Sequence, residues 1–214
     1  MTSNEFRERL LARAENAGVS IAADAERQLE AYYRVLVQWN AKINLTALPL
    51  SRPTNQTFDR LLIEPLVAAR YVADAARKWF DVGSGGGSPA IPLKIAQPHA
   101  KLTMIESKAR KAAFLREAIR AVGLSDVRVE NERFEEVAPR TEPETIDLVT
   151  VRAVKSDPAL LAGIRRVLSP VGRVFLFHSP GTGLKVPSVF AMVEMARLGT
   201  SGDARLSILR PLFP

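Results

Sequence analysis

The chain has 214 residues, 47% hydrophobic and 25% charged, inside the range of ordinary globular proteins and long enough to bury a core without staples. It contains no Cys, which excludes a disulfide framework, a Cys-built zinc site and a thiolate nucleophile and suits a reducing cytoplasm. Thirty Lys and Arg against 23 Asp and Glu give a net charge of +7, which attracts polyanions such as nucleic acid or marks only a basic surface.

The first ten residues are polar and carry no signal-peptide pattern, and no stretch nears the ~18 apolar residues of a membrane span. Residues 1–75 read as a helical extension. An amphipathic segment covers Asn4 to Asn16, and Ser20 stands where an N-cap would open a second helix. In that helix Leu29, Tyr32, Tyr33, Leu36 and Val37 form one apolar face, and the pattern stops near Asn40. A loop with Pro49 and Pro53 follows, then a third helix over Phe58–Ala73.

The pattern changes near Lys78, and residues 76–214 read as one α/β unit. Strands are expected at Trp79–Val82, Leu102–Glu106, Val127–Val129, Ile146–Val151 and Val174–Phe177. Helices fit at Ile91–Ala96, Lys108–Val122 and Asp157–Leu168. This alternation implies a mostly parallel sheet flanked by helices. Gly199–Asp203 is a turn signal between Val189–Leu198 and Arg205–Arg210. An antiparallel hairpin is favoured there, with a helix over Val189–Leu198 as the alternative because Ala, Met and Glu are good helix formers.

The most informative stretch is Asp81-Val-Gly-Ser-Gly-Gly-Gly-Ser-Pro89, where an apolar strand runs into four glycines and a helix. Glycines permit positive φ and close approach of a ligand to the backbone, and the helix start offers N–H groups. Glu106 ends the next predicted strand, 23 residues after Gly83, where a carboxylate can accept from ribose hydroxyls. The pair points to a nucleoside-type ligand. A dinucleotide fingerprint wants Gly at 83, 85 and 88, but position 88 is Ser. The pattern instead resembles the first motif of class I S-adenosylmethionine-dependent methyltransferases, with a Rossmann-like fold.

The flanks narrow the resemblance. Trp39-Asn-Ala-Lys-Ile-Asn-Leu-Thr46 precedes the loop, Pro-Ala-Ile-Pro-Leu93 continues it, Glu106-Ser-Lys-Ala-Arg-Lys111 follows, and Val151-Arg-Ala-Val154 comes after the fourth strand. In this order they resemble the small-subunit ribosomal RNA methyltransferase G family, also called glucose-inhibited division protein B. The resemblance implies methylation of guanine N7 in small-subunit ribosomal RNA, free or in the 30S subunit. It also implies S-adenosyl-L-methionine as cofactor and S-adenosyl-L-homocysteine as product. By position, it implies cofactor contacts at Gly83, Gly85, Ser88, Glu106, Phe134, Glu135 and Arg152. A monomeric cytoplasmic protein with no metal and no membrane association is expected.

The chain departs from the family pattern at three places. Ser88 stands where the family has Phe or Leu, and Ala90 where it has Gly. The family's His-Ile-Leu-Asp-Ser-Leu reads Leu61-Leu-Ile-Glu-Pro-Leu66, keeping the acid as Glu64 and losing the His. The family's Lys-Gly after the fifth strand reads His178-Ser-Pro-Gly181.

Guanine N7 carries a lone pair and no proton, so no general base is needed and none is assigned. Lys108, Arg110, Lys111, Arg116 and Arg120 put five cations on one helix, and the first three are candidate phosphate contacts. Asn44 and His178 are the remaining candidates on the substrate side. A methyltransferase for another RNA or a small molecule, and a noncatalytic RNA- or ribosome-binding module, are the alternatives.

Overall fold

The computed structural model describes residues 1–152, 158–179, 186–199 and 204–212. The Ala153–Val154 end of one motif, Gly181 and residues 200–203 of the turn lie outside these. Seven strands form one sheet in the order β3-β2-β1-β4-β5-β7-β6, with β7 antiparallel to both its neighbours. The strands are β1 Lys78–Val82, β2 Lys101–Ile105, β3 Val127–Glu130, β4 Ile146–Arg152, β5 Leu168–His178, β6 Phe190–Arg197 and β7 Arg205–Pro211. The order reverses between β1 and β4, so a crevice opens beyond the carboxyl ends of these two parallel strands.

Helix α1 (Ser3–Asn16) starts on a capping box in which Thr2 and Glu5 satisfy each other's backbone N–H groups. Helix α2 (Ala23–Asn40) buries Leu29, Tyr32, Tyr33 and Leu36, the expected face. Ser20 does not cap it. Ile21 packs against the core and the helix begins only after Ala22, which makes no side-chain cap bond; Asp24 and Glu26 instead favour the positive helix start.

The third helical segment is not one α-helix. It comprises α3 (Asn55–Phe58), a π turn over Asp59–Ile63, α4 (Glu64–Ala68) and a 3₁₀ turn over Ala69–Tyr71. In the π turn the Glu64 N–H reaches back five residues to the Asp59 carbonyl. Pro65 has no N–H for the Arg60 carbonyl in the same register, so that carbonyl accepts from outside the helix.

Helices α5 (Ala90–Ala96) and α6 (Ala109–Val122) cross between the first strands, and Gly123 ends α6 in the left-handed conformation. A short α7 (Phe134–Val137), absent from the expectation, lies between β3 and β4; α8 (Pro158–Val167) runs directly into β5. The C-terminal segments form the hairpin rather than the helix, because β6 pairs along β7 and buries Phe190 and Ala196.

Two apolar clusters pack the sheet. One runs from Phe6 and Leu10 through Tyr32, Leu36 and Phe58 to Trp79, Leu148 and Ile208, so the helical segment shares its core with the sheet. The other joins Phe80, Val149 and Leu176 to Phe134 of α7 and Leu161 of α8.

Candidate active site

The chain leaves β1 at Val82 and turns sharply. The Gly83 and Ser84 N–H groups both donate to the Ile105 carbonyl, and the Gly87 N–H donates to the Ser84 carbonyl at 2.7 Å. Gly87 holds φ +84°, and a Cβ there would lie 2.7 Å from Ile91 and 3.2 Å from Tyr32. A Cβ on Gly86 would come 3.3 Å from the Leu45 carbonyl. The turn is therefore packed from behind by the helical extension. The buried Tyr32 hydroxyl donates to the Gly86 carbonyl at 2.6 Å. The Asn40 side chain holds the 45–46 loop by accepting from the Leu45 and Thr46 N–H groups, each at 2.9 Å.

Glu106 follows the last residue of β2 and reaches across to the turn. One carboxylate oxygen accepts from the Gly85 N–H at 2.9 Å, the other from the Lys108 N–H at 2.8 Å. Beside it a cavity of about 150 Å³ is lined by Val82, Gly83, Ile105, Glu106, Phe134 and Leu160 among others. A larger cleft of about 700 Å³ lies at the other end of the sheet, around Lys78, Lys101 and Thr145. It meets the smaller cavity at Glu132 but is not lined by the turn, and the strand topology favours the smaller cavity as the site.

Beneath the turn, Asp81 is 1% exposed. The Trp79 indole N–H donates to the Thr150 hydroxyl at 2.9 Å, and that hydroxyl in turn donates to Oδ1 of Asp81. Oδ2 of Asp81 is buried with no partner among the described residues. Burial pushes the Asp81 carboxyl up to about 6, against the Ser84 and Thr150 hydroxyls and the Arg152 charge, which pull it down.

Arg152, at the end of β4, lies with its guanidinium 4.6 Å from the Phe177 ring centre. Nη2 donates to Glu64 Oε2 at 2.8 Å. Nη1 donates to the Arg60 carbonyl and contacts Ser88 Oγ at 3.4 Å. Ser88 Oγ donates to the same carbonyl at 3.3 Å. Nε of Arg152, like Oδ2 of Asp81, is buried with no partner among the described residues.

The expected residues divide into two groups. Gly83, Glu106, Phe134 and Glu135 line the small cavity, with Gly85 bonded to Glu106. Ser88 and Arg152 sit together at the π turn and are not among that cavity's lining. On the outer side, Lys108 and Arg110 are exposed, Lys111 is half-exposed, and none of the three has an ion-pair partner among the described residues. Asn44 is exposed. His178 faces Ser207 Oγ at 2.9 Å and the Ser179 carbonyl at 3.1 Å, so its ring is engaged at the β5–β7 edge. Asn40, inside the Trp39–Thr46 motif, Tyr32, expected only as core, and the Arg60 carbonyl are supports to which the sequence assigned no role at the site. For the Arg60 carbonyl alone there was a local signal, Pro65 within a helical pattern, since it forces a break in helix bonding.

The strand order with β7 reversed, the glycine turn after β1 and the acid after β2 define a class I S-adenosylmethionine-dependent methyltransferase. The sequence profile of the GidB family, rRNA small subunit methyltransferase G, matches residues 25–181. Ribosomal RNA small subunit methyltransferase G of Chloroflexus aggregans is 38% identical over 183 residues, covering 81% of this chain and 74% of its own. Its counterpart in Geobacillus thermodenitrificans is 36% identical, covering 76% of this chain and 67% of its own. That of Pseudomonas aeruginosa is 38% identical over 60% of this chain, which spans 58% of its length.

The chain belongs to the rRNA small subunit methyltransferase G family, and S-adenosylmethionine is its cofactor. Solved structures carry the same fold. MtNAS in complex with S-adenosylmethionine superposes with a TM-score of 0.58 at 14% identity, covering 99% of this chain and 78% of its own. A SAM-dependent methyltransferase from Aquifex aeolicus gives 0.54 at 15% identity, covering 71% and 91%.

The residues present fit the cofactor. Its amino-acid end carries an ammonium and a carboxylate. The two buried side-chain polar atoms without partners among the described residues are an acidic acceptor and a cationic donor. No cluster able to hold a metal occurs among the described residues, and no described helix is long and apolar enough to cross a membrane.

Proposed function

We propose that this chain methylates N7 of a guanine in small-subunit ribosomal RNA, free or in the 30S subunit. Bound S-adenosylmethionine supplies an electrophilic methyl on a sulfonium. In this reading Glu106 takes the ribose hydroxyls, exchanging its bonds to the Gly85 and Lys108 N–H groups for them. The base lies in the cavity by Ile105, Phe134 and Leu160. Oδ2 of Asp81 accepts from the ammonium, and Nε of Arg152 donates to the carboxylate. Lys108, Arg110 and Lys111 meet phosphates outside.

The observation that carries the cofactor half is the pair of orphaned buried atoms flanking the turn, opposite in charge like the ligand's two ends. Family membership carries the substrate half. In this reading the nearby carboxylates are taken up by cofactor and protein, Glu106 by the ribose, Asp81 by the ammonium and Thr150, and Glu64 by Arg152. That suits an acceptor nitrogen with no proton to remove. The protein's contribution is alignment of acceptor and methyl at attack distance.

Incubation with labelled S-adenosylmethionine and small subunits lacking the mark tests the proposal. Transfer to one guanine N7 is expected. No transfer, or transfer to another atom, overturns the substrate assignment.

A further inference from the structure

We infer that Glu64 is a positioning residue for Arg152, acting with the Arg60 carbonyl that Pro65 leaves without a helical donor. The inference rests on the reading of Arg152 as the group that meets the cofactor carboxylate.

An arginine side chain has many rotamers to lose when it closes on a ligand. Here that ordering is done by the fold. The guanidinium is planar, with five N–H groups in fixed directions. Nη2 is held by Glu64 Oε2 at 2.8 Å and Nη1 by the Arg60 carbonyl, while the Phe177 ring lies against the group at 4.6 Å. A plane gripped at both Nη atoms and on one face cannot turn, so the direction of the Nε–H is set. That N–H is the one buried side-chain donor left without a partner among the described residues.

Glu64 also carries the charge balance. It is 3% exposed at the side chain and has a second cation, Arg60, at 3.8 Å. Burial pulls the Arg152 guanidinium down and pushes the Glu64 carboxyl up, and each is opposed chiefly by the other's charge. Removing the carboxylate would take away the chief opposing charge of a buried cation and one of the two hydrogen bonds that orient it. The helical extension thus contributes to the cofactor site through Glu64, whose hydrogen bond and ion pairs go to Arg152 and Arg60.

The test is calorimetric titration of the full chain with two ligands. S-adenosylhomocysteine carries the amino-acid end, and 5′-methylthioadenosine lacks it. The wild type is expected to bind the first more tightly. Glu64→Ala should weaken S-adenosylhomocysteine about 10-fold or more, the scale of one charge-assisted hydrogen bond, and leave methylthioadenosine unchanged. Glu64→Gln keeps an acceptor oxygen and should lose about 3-fold, again for the first ligand only; it carries the test if Glu64→Ala does not fold. Equal losses for both ligands, or none, overturn the positioning role. A wild type that binds the two ligands equally well would remove the reading of Arg152 itself, and the role with it.

Discussion

At the tip of β2, both oxygens of Glu106 are taken by main-chain N–H groups of the turn and of the α6 start. At the tip of β1, Asp81 has one oxygen bonded to Thr150, while its other oxygen and Nε of Arg152 have no partner among the described residues. The proposed ribose end is thus satisfied before a ligand arrives, and the proposed amino-acid end is not. A buried polar group without a partner costs about 1–3 kcal/mol. The first arrangement keeps the turn in shape with the ligand absent. The second stores unfavourable energy that a complementary ligand relieves, and so favours ligands with the amino-acid end.

The contrast breaks most visibly at Glu106. Glu106→Ala removes one bond to the turn and one to the α6 start as well as the ribose acceptor. It should weaken S-adenosylhomocysteine and 5′-methylthioadenosine alike, by about 100-fold in titration calorimetry. Asp81→Asn should be selective, costing about 10-fold for S-adenosylhomocysteine and little for methylthioadenosine.

The same variant should raise the stability of the ligand-free protein. The Asp81 carboxyl is raised from 3.8 to about 6 on folding. The folded state therefore holds the proton more tightly, and stability falls as pH rises through that interval, by about 3 kcal/mol in all. Above pH 7 the wild type bears this cost in full. Asp81→Asn does not, and its melting temperature should be about 6–12 °C higher.

The wild type's affinity for S-adenosylhomocysteine should climb between pH 5 and 7 as Asp81 ionises, and Asp81→Asn should flatten that climb. The smallest effect is expected at Tyr32, behind both ends. Tyr32→Phe loses the bond to the Gly86 carbonyl, for about 1 kcal/mol of stability by denaturant titration and equal small losses for both ligands.

Local chemistry made much of this site legible in advance. Gly87 has no space for a Cβ and a backbone that side chains avoid, so its glycine announces the turn. Glu106 is placed by the length of one βα unit. The β6–β7 segments were harder. Ala, Met and Glu favour a helix, and only the partner strand decided otherwise. Ser20 failed as a cap because Ile21 is held by the core, a fact no neighbouring residue reports.

The amino-acid sequence by itself determined the alternation of strands and helices, the bend after β1 and the acid beside it, because each depends on periodicity or on the conformations one residue permits. The tertiary structure alone decided that Ser88 turns to the Arg60 carbonyl, and that Glu64 and Arg152, 88 positions apart, become partners. It alone left Asp81 and Arg152 each one bond short. Burial and pairing across such distances depend on how the helical segment docks on the sheet, and no local pattern encodes that.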